Sequence, residues 1–246
     1  VSVALNEAET LTLLQEVPTA YRTQINDVLL TALAQAFARW TGERSLLIDL
    51  EGHGREDLFE TVDLSRTVGW FTTIFPVILN IGESVGPGDA LKAIKEQLRS
   101  IPNRGIGYGI LRYLSNTKTA LSQYPSKAEV RFNYLGQTDP IVQQSSLFAL
   151  AQESTGPGRG PRGHRRYPLD INSLVTGNQL RVDWTYSEAI HRRTTIEALA
   201  EYFIDALRSL IIHCKTAGGY TPSDFSEANL NQQELDQFLA NIKGTS

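Results

Sequence analysis

The chain has 246 residues, 41% of them hydrophobic and 20% charged, and 23 Lys and Arg against 27 Asp and Glu leave a net charge of −4. That is the make-up of a globular protein of one or two domains, and the acidic balance argues against an extended nucleic-acid surface. No apolar stretch approaches the roughly 20 residues of a membrane span, no signal peptide opens the chain, and a single cysteine, Cys214, rules out an internal disulfide and fits a reducing cytoplasm.

In chain order, the clearest early element is a helix over residues 24–40. Its Ile25, Val28, Leu29, Ala32, Leu33, Ala36, Phe37 and Trp40 repeat at three and four, and Gly42 follows as a stop. Residues 45–50 read as a short strand buried on both faces, running into Glu51-Gly52-His53-Gly54-Arg55. Residues 71–79 are rich in strand formers but contain Pro76, which predicts an edge, a bulge or a bend. Helices are expected over 90–99 and 110–116. Residues 130–135 alternate Val130, Phe132 and Tyr134 against Arg131 and Asn133, a strand with one apolar and one polar face.

The stretch 154–167 sets Arg159, Arg162, His164, Arg165 and Arg166 among Gly and Pro, a mobile basic loop that is either simply solvated or a docking surface for an acidic partner. Thr176-Gly177-Asn178 predicts a hairpin between 169–174 and 180–186. A long helix is expected over 194–215, with Cys214 in its buried stripe and Gly218-Gly219 ending it, and a polar amphipathic helix over 231–242. The fold class is therefore mixed α/β, an α+β sandwich in which a mixed β-sheet is covered by helices.

The segment 51–55 carries the chemistry. It places an acid, an imidazole and a guanidinium on a turn where two glycines let a substrate approach closely. Glu51 fits a general base whose pKa burial raises or Arg55 lowers; the plainer alternative is a polar turn with a surface Glu-Arg pair. His53 either positions Glu51 or hydrogen-bonds the turn backbone. Arg55 either orients the carboxylate or ties the loop through Glu56, Asp57 or Glu60. The four histidines have no ligand spacing, so no metal site is expected. Gly105-Ile-Gly-Tyr-Gly109 lacks the spacing of a dinucleotide loop and reads as a bend between helix and sheet.

Four segments go further together: Glu51-Gly-His-Gly-Arg55; Thr67-Val-Gly-Trp-Phe-Thr72 leading to Phe75-Pro-Val77; Gly105-Ile-Gly-Tyr-Gly109; and Phe132-Asn-Tyr-Leu-Gly-Gln137. In order and spacing they resemble the later motifs of the epimerization domains of nonribosomal peptide synthetases. The resemblance runs from Tyr21-Arg-Thr-Gln-Ile-Asn-Asp27 to Thr221-Pro-Ser-Asp-Phe225. The related condensation domains share the chloramphenicol-acetyltransferase-like architecture but do not usually carry the first and last of these motifs. The His-His-x-x-x-Asp-Gly motif of the family's first lobe has no counterpart here, and there is no Met in the sequence. The chain thus looks like the C-terminal lobe alone, a piece of something longer, with 1–220 as the lobe and 221–246 as an exit linker with a short helix. A lobe parted from its N-terminal partner is expected to expose apolar surface and self-associate.

The resemblance implies conversion of an L-aminoacyl or L-peptidyl residue to the D form while it is held as a thioester on the 4'-phosphopantetheine arm of a peptidyl carrier protein domain, with no cofactor bound directly. Glu51 and Tyr134 are then the catalytic residues, supported by His53, Arg55 and Asn133, with Trp70, Phe71 and Tyr108 along the substrate channel or, for the first two, filling core. Of Asn133 and Tyr134 only one can face the substrate, and the resemblance favours Tyr134. Other partners implied are the N-terminal lobe and neighbouring synthetase modules, with no nucleic acid and no membrane. Two alternatives stay open: a non-catalytic carrier-docking lobe, and a condensation-type acyltransferase relative.

Overall fold

A computed structural model describes residues 1–83, 86–114, 127–138, 153, 156 and 163–244. Among these residues six strands form one sheet: β1 (Ser2–Ala4), β2 (Ser45–Gly52), β3 (Thr73–Asn80), β4 (Val130–Gln137), β5 (Leu169–Thr176) and β6 (Gln179–Tyr186). Their spatial order is β1-β6-β5-β4-β2-β3. The central strands β2, β4 and β5 run parallel, and the outer pairs β2/β3, β5/β6 and β1/β6 are antiparallel. Helices α1 (Glu7–Gln15), α2 (Val17–Tyr21), α3 (Ile25–Thr41), α4 (Pro87–Arg99) and α5 (Arg193–Thr216) pack on one face, and α6 (Gln232–Gly244) follows them. No described helix is long and apolar enough to cross a membrane.

Local backbone chemistry sets the ends of these elements. Asn6 and Glu9 close a reciprocal cap on α1, the Asn6 Oδ1 accepting from the Glu9 N–H at 2.8 Å and Glu9 Oε2 from the Asn6 N–H at 3.0 Å. Gly42 ends α3 at φ +81°, a left-handed angle that costs a residue without Cβ nothing. In the β5–β6 hairpin Gly177 and Asn178 take φ +56° and +59°, the paired positive angles that match a tight turn to strand twist. Pro76 lies in β3, the edge strand, where a missing N–H is tolerated.

Alternation divides the sheet chemically. Ile48 and Leu50, Phe132, Ile171, Val182 and Trp184 face the helices and are buried against Leu29 and Leu33 of α3 and Phe203 and Leu207 of α5. Trp184 meets Phe203 edge to face at 5.8 Å. The opposite face carries Asp49, Glu51, Arg131, Asn133, Asp170 and Asn172, because in-register pairing puts each beside its neighbours across β2, β4 and β5. Two expectations need correction here. The strand before Glu51 is buried on both faces only at residues 48–50, and Leu47 is exposed. The strand also continues to Gly52, so Glu51 is not on a turn; it is paired with Ile74 of β3.

Beyond α4 the chain passes through a 3₁₀ turn, Pro102–Gly105, in which Asn103, Arg104 and Gly105 all have positive φ, and then a short helical stretch, Gly107–Gly109, that widens into a π turn at Ile110–Leu114. The helix expected over 110–116 is thus a π turn in its described part, Ile110–Leu114, continuing a helical stretch that already begins at Gly107, and its last two residues lie outside the described ones. So do Arg159 and Arg162 of the basic loop.

At the far side Lys95 of α4, only 1% exposed, donates to the Tyr21 carbonyl at 2.8 Å and to Asp224 Oδ1 at 2.7 Å, pinning the segment that follows α5. Breaking one half of a buried pair strands the other charge. Lys95→Ala is therefore expected to lower the unfolding free energy by about 3–5 kcal/mol in urea titrations, and replacing Lys95 by Met together with Asp224 by Leu to recover most of that loss.

Candidate active site

The polar face of the sheet gathers its charge at the C-terminal end of β2. Glu51 projects there, and both carboxylate oxygens are occupied: Oε1 accepts from Arg131 Nη1 at 2.8 Å and Oε2 from Asn133 Nδ2 at 2.6 Å. Arg131 is itself held from the other side by Asp170 of β5, which accepts from Nε at 3.0 Å and from Nη2 at 2.5 Å. Asn172 adds a longer bond to Asp170 at 3.3 Å. Two residues back along β2, Asp49 accepts from the Tyr167 hydroxyl at 2.6 Å, and Arg166 lies 3.7 Å away.

The three carboxylates are largely out of water. Asp49 and Asp170 are each 2% exposed, and the Glu51 side chain is 12% exposed. Burial pushes the Glu51 carboxyl above its ordinary value, the guanidinium of Arg131 opposes that rise, and the negative charge of Asp170 adds to it. The Tyr167 hydroxyl is held far above its usual range by burial and by its bond to Asp49. The result is a carboxylate that is oriented by two donors yet more basic than a free one.

Two clefts flank the end of β2. One, of about 330 Å³, is lined by Gln24, Asp27, Glu51, His53, Phe75 and Arg104. Its floor is stiff, because the buried Asp27 accepts from the Gln24 N–H at 2.6 Å and takes a two-pronged ion pair from Arg99 at 3.0 and 2.7 Å. The other, of about 560 Å³, is lined by Asp49, Ile74, Tyr108, Ile110, Tyr113 and Arg166.

The expected site residues divide accordingly. Glu51 and Asn133 meet. Tyr134 does not: it is one residue further along β4, so it points to the helix side and lines a separate cleft with Leu13, Pro18 and Gln24. At Glu51 the contact is therefore made by Asn133. Arg55 does not touch Glu51, Glu56, Asp57 or Glu60 in any described bond. Its guanidinium donates to the Gly69 carbonyl at 2.9 Å and lies 5.1 Å from the Phe71 ring centre, tying the loop after β2 across its neck. His53 takes the turn-backbone role, its Nδ1 accepting from the Arg55 N–H at 3.0 Å, with Nε2 3.4 Å from Glu56. Gly54 is needed there, at φ +66°, because a Cβ would fall 1.7 Å from the Phe71 carbonyl oxygen. Trp70 is 90% exposed and Phe71 41%, so neither fills core. Tyr108 lines the second cleft, and its hydroxyl accepts from Arg112 at 2.7 Å.

Sequence reasoning does not single out Arg131 and Asp170, although a signal for each exists. Arg131 shares the polar face of its strand with Asn133, and Asp170 is an acid enclosed in the apolar run Leu169-Asp-Ile.

Residues 1–230 match the condensation-domain family. A linear gramicidin synthase polypeptide of Brevibacillus parabrevis is 53% identical over 243 residues, 97% of this chain but 3% of that protein. The chain therefore spans a small part of such relatives. The crystal structure of the epimerization domain from the third module of tyrocidine synthetase B superposes with a TM-score of 0.79 at 37% identity, covering 87% of this chain and 48% of that one. A condensation domain that releases chains from the enacyloxin polyketide synthase superposes at 0.60 with 15% identity, over 89% of this chain and 42% of that one, a likeness of fold alone. The expected lobe architecture, a mixed sheet covered by helices in the manner of these domains, is borne out.

Because hydrogen bonds to the ionised form lower a carboxyl pKa, Asn133→Ala is expected to raise that of Glu51, while Tyr134→Phe, which alters the other face, leaves it unchanged. Side-chain carboxyl ¹³C NMR titration of the two variants reads both outcomes.

Proposed function

The chain belongs to the condensation-domain family, and we propose that it is the C-terminal lobe of a nonribosomal peptide synthetase epimerization domain, in which Glu51 exchanges the Cα proton of an L-aminoacyl or L-peptidyl thioester. The observation that carries this reading is the Glu51 carboxylate, fixed by Arg131 and Asn133 and raised in basicity by burial. The likeness to a solved epimerization domain, at 37% identity against 15% for the condensation domain, supports the choice within the family.

Removing a proton from Cα places charge on the thioester oxygen, so the reaction asks for a positioned base, an acid on the opposite face, a donor to the oxyanion and exclusion of water. Glu51 meets the first need. Its free lone pairs take the Cα proton while Arg131 and Asn133 keep the carboxylate from turning away. Return of a proton to the other face gives the D residue, and that acid belongs to the remainder of the domain. The solved epimerization domain has about twice the length matched here. The substrate enters on the phosphopantetheine arm of a carrier protein domain, which makes that domain and the neighbouring synthetase modules the partners.

The test is solvent deuterium incorporation at Cα of the L-aminoacyl group that the full-length module loads on its carrier. Glu51→Gln in that module is expected to slow exchange by about 10²-fold or more, the usual worth of a positioned base, with the circular dichroism spectrum unchanged. Exchange at the wild-type rate would overturn the reading.

A pH dependence follows with a definite sign. A base must be ionised, so exchange fails as pH falls through the Glu51 pKa, and because that pKa is raised, the acid limb of the rate profile is expected above the ordinary value of 4.5. Rates measured from about pH 4 to about pH 8 check it.

A further inference from the structure

Arg131 has five N–H groups in a fixed fork, and the way they are shared is asymmetric. Asp170 takes the Nε and Nη2 side, at 3.0 and 2.5 Å, and leaves Glu51 the Nη1 alone, at 2.8 Å. The two-pronged grip thus goes to Asp170, while Glu51 takes a single arginine N–H on one oxygen and the Asn133 amide on the other. Arg131 and Asp170 are direct partners across the β4/β5 ladder, so the grip is built into strand register. The Tyr167 ring lies 5.6 Å from the guanidinium carbon on a further side, and its hydroxyl is tied to Asp49.

We propose that Asp170 is a positioning residue for the acid/base chemistry: it acts through Arg131, holding the guanidinium so that Glu51 is oriented by one N–H and is not captured by two. The inference rests on the reading of Glu51 as the base. One cation is thereby shared between two carboxylates, and Glu51 stays anchored and reactive at once. Among the described residues, the other charged or titratable groups around Glu51 are Asp49 on the same strand, Arg166 and Tyr167 before β5, His53 and Glu56 in the loop that follows Glu51, and Asp27, Arg99 and Arg104 across the first cleft. Asn133 is neutral at any pH. The directions agree with the geometry, since Arg131 pulls the Glu51 pKa down and Asp170 pushes it up.

The experiment uses two variants of the full-length module with opposite expected signs. Asp170→Asn removes a negative neighbour and frees Arg131 to swing onto Glu51. The acid limb of the exchange rate then moves to lower pH and kcat near pH 7 falls about tenfold, with KM for the loaded carrier unchanged. Arg131→Met leaves Glu51 beside Asp170 with no cation between them, and moves the acid limb to higher pH. A merely structural cross-strand pair would lower activity in both variants without moving the limb in opposite directions, and that result overturns the proposal. Asp170→Glu, which keeps the charge, is expected to restore most of the wild-type profile, and failure of that rescue counts against it. Carboxyl ¹³C titration of Glu51 separates the two readings. A pKa that shifts oppositely in the two variants while exchange is indifferent to Glu51→Gln upholds the Asp170 coupling and removes the base assignment. A pKa unmoved by either variant, with exchange still abolished by Glu51→Gln, removes the coupling and keeps the base.

Discussion

The in-register parallel pairing of β2, β4 and β5 is the constraint on which the rest depends. Side chains alternate along each strand, so one register decides at once that Leu50, Phe132 and Ile171 face the helices and that Glu51, Arg131, Asn133 and Asp170 share the other face. A slip of one residue would drive the four polar groups into the core and turn Phe132 to the far side. The hydrophobic effect on one face therefore holds the charge geometry on the other. No contact within the charged cluster has to set its own position.

That arrangement also explains why so much charge is tolerated at low exposure. Each carboxylate in the cluster is met by donors in fixed directions: Asp49 by Tyr167, Asp170 by Arg131, Glu51 by Arg131 and Asn133. Desolvation is offset by charge-assisted hydrogen bonds and not by solvent, which leaves the titration of Glu51 sensitive to small changes in its neighbours.

Much of the fold was legible because its signals are local and periodic. The α3 and α5 stripes, the alternation in β4 and β6, the Gly177-Asn178 turn and the edge position implied by Pro76 all follow from spacing of two or 3.6 residues and from backbone chemistry. The site was legible only as far as single segments reach. Glu51 stood out through its glycines, but the guanidinium that meets it comes from 80 residues away and not from Arg55, four residues on. Asn133 and Tyr134 posed a choice that alternation alone framed and could not decide, because it turns on which residue of β2 each faces across the ladder. Arg131 and Asp170 look ordinary in their strands and become a cluster only when those strands lie side by side.

The lock at Lys95 has a consequence for how the C-terminal segment and the cleft communicate. Lys95 and Arg99 are one helical turn apart on α4, the first gripping Asp224 and the second gripping Asp27, which lines the cleft beside Glu51. A pull on the chain after residue 224 is thus transmitted as tension through one turn of a rigid rod to the foot of α3, bypassing the sheet. Whatever tugs on the segment after residue 224 has a short mechanical line to the rim of the cleft that Glu51 lines.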